Sequence, residues 1–446
     1  MAMSVEEARA LAKRVVAMTA ADAAEVVVTA ESSALTRFAN NRINQNVAEE
    51  NAQVTIRAVL GKRIGVATTN RLDDESLLAA AEAAVRAAAI SPEDPSFPGL
   101  PGPAPVVGMS RAAEATRAFD AEARAVAVGA IVAQSASRGL TAAGKVRVDD
   151  RTVAVANSLG VDACQPLTVA QATVLSMGPN SGSGWASFLN ADSSLLAAEA
   201  LGNQAADLAQ RSANPDSLEA GDYTVVLAPE AVADILDFLA YTGISAKAFS
   251  EGRSFLSDKL GTTIASELVS IADDAVAPHA MGIVFDYEGQ PRQRVQIVDR
   301  GVAVEPVTDS YWAAKLGRRN TGHALPAPNP HGPMPSDLEM AGGGATIDEL
   351  IGSVARGVYV TRFHYVNVED PIAVTLTGMT RDGTFLIENG RLTRPLKNLR
   401  FTQSAIAALA HCEGVTRERR YIGTEEGTVL APGLLISRFA FTGQTS

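Results

Sequence analysis

The sequence predicts an α+β protein: N-terminal α/β domains followed by a mainly antiparallel β C-terminal domain. Three observations predict it. Helix-spaced and strand-spaced apolar residues alternate up to about residue 220. A proline-rich stretch interrupts that pattern once. From Gly221 onward short strand-like runs are separated by glycine turns, with few helices. The expected divisions are 1–106, an α/β unit with its Pro-rich linker; 107–220, a second α/β unit; and 221–446, a β-rich domain. A chain of 446 residues with 47% apolar composition can build cores of that number and size.

Residues 4–18 carry helical spacing, with acids in the first turn. The segments 24–32 and 34–70 read as successive strands. Val54, Ile56 and Ala58 alternate with Thr55 and Arg57. Residues 73–90 read as a helix with Asp73 or Asp74 near its N-cap. The five prolines of 91–103 forbid helix and central strand alike. Residues 112–139 then read as one long helix. The segment 146–161 reads as two paired strands, with further strand from Leu167 to Met177, a loop at 178–184 and a helix over 193–212. "DYTVVLAP" leads as a strand into a helix over 228–243, where Pro229 suits the first turn.

The charge balance, 38 basic against 50 acidic residues, argues against nucleic acid as a partner. Arg417, Arg419 and Arg420 stand among Glu413 and Glu418 and read as solvated surface. Two distant cysteines, Cys164 and Cys412, give neither a disulfide framework nor a metal spacing. The N-terminal segment lacks the pattern of a signal peptide, and no apolar run is long enough for a bilayer span, so the expected location is the cytoplasm, without a membrane partner.

No HExxH, P-loop, GxSxG or CxxC motif occurs, and nothing in the sequence calls for a cofactor. The helix at 228–243 places Glu230, Asp234 and Asp237 on one face, opposite Val232, Ile235, Leu236 and Leu239. By itself this is ordinary amphipathicity, with the acids on the wet side. The five histidines are scattered. His364, in "TRFHYVN", is the candidate general base, with Asp286 or Glu288 of "FDYEG" as its carboxylate. Cys412, next to His411, lacks an identifiable base to make it a nucleophile.

Six separated segments, 36–46, 153–161, 248–275, 282–302, 319–324 and 383–404, resemble the TldD/PmbA (TldE) family in order. The resemblance runs from about residue 8 to the end. It implies a fold related to metallopeptidases. The TldD type carries HExxxH, a zinc site with Glu as general base, and a late cysteine. TldD pairs with its zinc-free relative TldE (PmbA) in a protease for small or unfolded peptides. On this resemblance Asp237 stands in place of the first His, Phe238 in place of the Glu and Thr242 in place of the second His; no His lies between 222 and 278. The segment 421–433 has no cysteine. The chain therefore resembles the PmbA/TldE branch: a subunit without its own metal, paired with a TldD-type zinc peptidase or with itself, with a peptide as substrate. A stand-alone, metal-independent amide hydrolase or acyl-transfer enzyme and a non-catalytic binding protein are the alternatives.

Overall fold

The structure, a computed structural model, describes residues 3–424 and 427–444. The N-terminal part runs α1 (Val5–Met18), β1 (Ala23–Ala39), β2 (Arg42–Leu60), β3 (Arg63–Thr69), α2 (Asp74–Ile90), α3 (Glu114–Arg117), α4 (Ala121–Ala136), β4 (Thr141–Asn157), β5 (Asp162–Met177), β6 (Ser183–Asn190) and α5 (Ala198–Arg211). The C-terminal part begins with β7 (Gly221–Leu227), α6 (Pro229–Gly243), α7 (Ala246–Ser250), β8 (Ile271–Asp273), β9 (Val295–Asp299), β10 (Val302–Ala303), α8 (Ser310–Leu316), β11 (Asp337–Met340) and α9 (Ile347–Gly352). It continues with β12 (Arg356–Asp370), β13 (Thr375–Glu388), β14 (Arg391–Pro395), β15 (Leu399–Ser404), α10 (Ala405–Ala410), β16 (Cys412–Gly423) and β17 (Thr428–Gln444). This is the expected α+β class. No helix among the described residues is long and apolar enough to cross a membrane.

One six-stranded sheet, in the order β3-β2-β1-β4-β5-β6, spans the whole N-terminal part. β1 pairs antiparallel with both β2 and β4. Segments 1–106 and 107–220 thus contribute three strands each to one sheet, and the proline-rich stretch connects its two halves rather than two separate sheets. Both faces of the sheet are buried at its centre. Val26, Val28, Ala154 and Ala156 pack under α1 and α2. The intervening Val27, Val153 and Val155 pack against Ile283, Val284 and Phe285 of the C-terminal part. A strand's two-residue side-chain period is what lets one run of valines serve both layers.

Local chemistry sets the helix starts. Asp73 is the N-cap of α2 and accepts the Ser76 N–H at 2.9 Å. The expected single helix over 112–139 is instead α3 and α4, because Asp120 caps a new helix by accepting the Ala123 N–H at 2.9 Å. The two strands expected within 146–161 are one. Asp149 and Asp150 do not turn the chain: they stay in register with Ser33 and Ser32 of β1. Arg147 and Arg117 hold their carboxylates.

In the C-terminal part, β12, β13, β15 and β17 follow one another in an eleven-stranded sheet. β7 pairs with β12 in parallel and with β17 antiparallel, so these five strands close on themselves. Closure removes free edges from most of the ring. Helix α6 buries Val232, Ile235, Leu236 and Leu239 in its core.

The contact between α2 and β3 leaves no room for a side chain at buried Gly65, where a Cβ would fall on the Ala84 carbonyl and the Ala88 amide. Gly65→Ala is expected to destabilise the fold by about 1–3 kcal/mol in urea unfolding, and an unchanged midpoint would show that the helix shifts at no cost.

Candidate functional site

Helix α6 begins at Pro229, whose missing N–H costs nothing in a first turn, and Glu230 there complements the helix dipole. The expected wet face is largely covered. Glu230 is buried and its carboxylate meets Arg420 at 2.9 Å. Asp234 and Asp237 line a cavity of about 980 Å³, together with Tyr241 and residues 362–368 of β12. Helical spacing separates an apolar stripe from a polar one, but it does not tell water from a walled cavity. The reading of Arg420 as plain surface fails for a related reason. Besides its pair with Glu230 it donates to the Ser187 carbonyl at 2.9 Å, joining α6 to β6.

Burial sets the electrostatics of this cavity. It pushes the Asp234 carboxyl up to about 7, helped by Asp237 and Glu230 and opposed by Arg362 and the Phe363 N–H. Arg362 is held by Asp382 at 3.1 Å and lies 4.7 Å over the Trp185 ring. His364, on the next stretch of β12, lines the same cavity; partial burial, then Arg381 and Arg362, push its pKa down.

The structure does not bring His364 to either expected carboxylate. Asp286 is fully buried and accepts N–H groups from Glu288, Gln290 and Ala324 at 2.9, 2.9 and 3.0 Å. Glu288 meets Arg57 of β2 at 3.2 Å and accepts the Ser310 N–H at 3.2 Å. Glu288 thus belongs to the junction with the N-terminal sheet, and Asp286 is held within its own turn of the C-terminal part. Cys412 is buried, and burial raises its thiol to about 11, so it is not a ready nucleophile.

Phe238 packs against the C-terminal core, and the buried Thr242 hydroxyl donates to the Phe238 carbonyl at 2.7 Å, one turn back. Of Asp237, Phe238 and Thr242, only Asp237 offers a carboxylate to the cavity. Among the described residues, no group of three or more His, Cys, Asp and Glu side chains is arranged to hold a metal ion.

Sequence reasoning missed a second buried group. His323, fully buried, meets Asp273 at 3.0 Å through Nε2 and Thr321 at 2.9 Å through Nδ1. Asp273 also accepts the Asp337 N–H at 2.9 Å, and Arg292 lies 3.9 Å away. The only signal was the segment 319–324, whose role as an internal brace depends on partners about fifty residues away.

Residues 220–443 match the family model for the PmbA/TldA metallopeptidase C-terminal domain, and residues 24–88 match PmbA/TldA metallopeptidase domain 1. The chain is similar to a Metalloprotease TldD homolog of Buchnera aphidicola, 27% identical over 162 residues, which cover 36% of this chain and 33% of that protein. It is also similar to a Metalloprotease PmbA homolog of Haemophilus influenzae, 28% identical over 188 residues, 38% of this chain and 41% of that one. These matches span less than half the length of either relative. The crystal structure of TldE from Thermococcus kodakarensis superposes with a TM-score of 0.89 over 97% of this chain and 99% of that one; at 19% identity the likeness concerns the fold. A hydrolytic zinc ion does not fit the side chains that α6 presents. Phe238 has no donor atom and the Thr242 hydroxyl is turned onto its own helix.

Asp234 generates a test. Its carboxyl titrates near 7 in the fold and near 4 in the unfolded chain, so the native state binds the extra proton between those values. Stability contributed by that proton is present at low pH and lost as pH rises through the window. Asp234→Asn is expected to gain on the order of 1–3 kcal/mol over the parent at pH 8 and little at pH 4, in urea unfolding at both values. An equal difference at the two pH values contradicts the assignment.

Proposed function

The chain belongs to the PmbA/TldD metallopeptidase family, and from that premise we propose that it is a zinc-free, TldE-like subunit of a two-subunit peptidase for small or unfolded peptides. Its TldD-type partner supplies the metal and the general base. The observation that carries the reading is α6. It lines the large cavity, yet its candidate positions hold Asp237, Phe238 and Thr242. Water activation by a bound metal needs a Lewis acid and a carboxylate to take the proton. A phenyl ring does not accept one.

This chain's own residues then bind and enclose. β7 pairs with β12 only over Val358–Val360, so β12 continues beyond its neighbour along the cavity wall. Such an edge offers main-chain N–H and C=O groups to an extended peptide. Tyr241 and Tyr365 stand 56% and 75% exposed at the same cavity and suit a surface covered on assembly. The partner is a TldD-type subunit, or a second copy where none is present. We place the assembly in the cytoplasm, without nucleic acid or membrane as a partner. A stand-alone hydrolase that pairs His364 with Asp286 or Glu288 finds less support, because both carboxylates are held by other partners.

The test is reconstitution. The purified chain alone is expected not to cleave an unfolded peptide, and cleavage is expected on mixing with a TldD-type relative, with loss of that activity in chelator. Chelator-resistant cleavage by the chain alone overturns the proposal.

A further inference from the structure

The junction between the N-terminal sheet and the C-terminal part holds buried charges away from the cavity of α6 and β12. Glu25 of β1 and Glu288 of the C-terminal part are 3% and 6% exposed. One guanidinium, that of Arg57 on β2, meets both, Glu25 at 2.8 Å and Glu288 at 3.2 Å. Glu25 and Arg57 are register partners on neighbouring strands, so the sheet itself fixes their contact. On the other flank of β1, Glu25 stands opposite Asn157, which carries no charge. Glu288 also accepts the Ser310 N–H at 3.2 Å, which ties it to the start of α8.

The charges around this group do not even the count. Asp309, the N-cap of α8, interacts with Glu288 and Arg57. Asp286 accepts the Glu288 N–H at 2.9 Å and has Arg292 on its other side. Arg57, Glu288 and Asp309 line a cavity of about 570 Å³, with Lys247 of α7 and Asp94 also on its wall, and this gives solvent a route to the cluster. One guanidinium does not neutralise two buried carboxylates, so a proton held by the pair lowers the cost of closing the junction. Burial raises the Glu25 carboxyl to about 7, with Arg57 opposing the effect and Glu288 adding to it.

We infer that Glu25, Arg57 and Glu288 form a proton-operated latch: a proton on Glu25 keeps the C-terminal part seated on the sheet, and ionisation of both carboxylates loosens it. The apolar contact of Val27, Val153 and Val155 with Ile283, Val284 and Phe285 involves β1 two residues beyond Glu25, so a loosened latch is felt there. In the opened junction Glu25 meets water and returns to the ordinary glutamate range, so opening releases a proton. Opening is therefore suppressed at low pH, rises as pH climbs from about 4.5 to about 7, and levels off above. The inference does not depend on the peptidase reading, since it concerns how two parts of one chain are held together.

The Val284 N–H donates to the Gln165 side chain across the junction at 2.9 Å, so hydrogen exchange of the segment around Val284 reports opening. After correction for the intrinsic pH dependence of exchange, protection there in the full chain is expected to fall about tenfold or more between about pH 5 and about pH 7, then to stay level to about pH 8.5. Glu25→Gln keeps an oxygen for Arg57 and has no proton to lose, and is expected to hold the change within about threefold. Should that variant not fold, Glu288→Gln removes the other carboxylate and is expected to flatten the profile in the same way. Amides of β15, away from the junction, are the control for global loss of stability. A parent profile without the fall, the same fall in the folded variant, or a fall of equal size in β15 overturns the inference.

Discussion

The central constraint is the burial of both faces of the N-terminal sheet. β1 and β4 offer alternate side chains to two layers, helices on one side and Ile283, Val284 and Phe285 on the other. That second contact fixes the C-terminal part against the sheet, and polar groups then lock it. Glu25 and Glu288 share Arg57 across the junction, and Gln165 accepts the Val284 N–H at 2.9 Å. Burial holds Glu25 near 7 despite Arg57, so the junction is kept by packing as much as by charge.

Much of the fold was legible because its signals are local. Pro229 started α6 where its ring is tolerated, and Asp73 capped α2. The change of texture at Gly221 marked the start of the closed ring. What was not legible depended on distant partners. The pairing of β1 with β4 joins residues more than a hundred apart, so one sheet looked like two units. Asp149–Asp150 looked like a turn because the ladder and the arginines that keep them in a strand are invisible in a window of sequence. Asp120 was a cap signal inside an apolar run long enough to pass for one helix.

The site was legible in its residues and misread in its surroundings. Glu230, Asp234 and Asp237 do share a face, but Arg420 and β12 close over it. His364 was placed at a cavity, and its expected carboxylates proved to be structural. The carboxylates that do share its cavity are Asp234 and Asp237. Phe238 brings a ring without a donor atom to the cavity wall, and the Thr242 hydroxyl is spent on the Phe238 carbonyl within its own helix.

Zinc titration of the purified, metal-stripped chain tests this account most directly. The account predicts no stoichiometric site tighter than about 1 µM. One zinc ion per chain, bound in the nanomolar range and lost in Asp237→Ala, would contradict it.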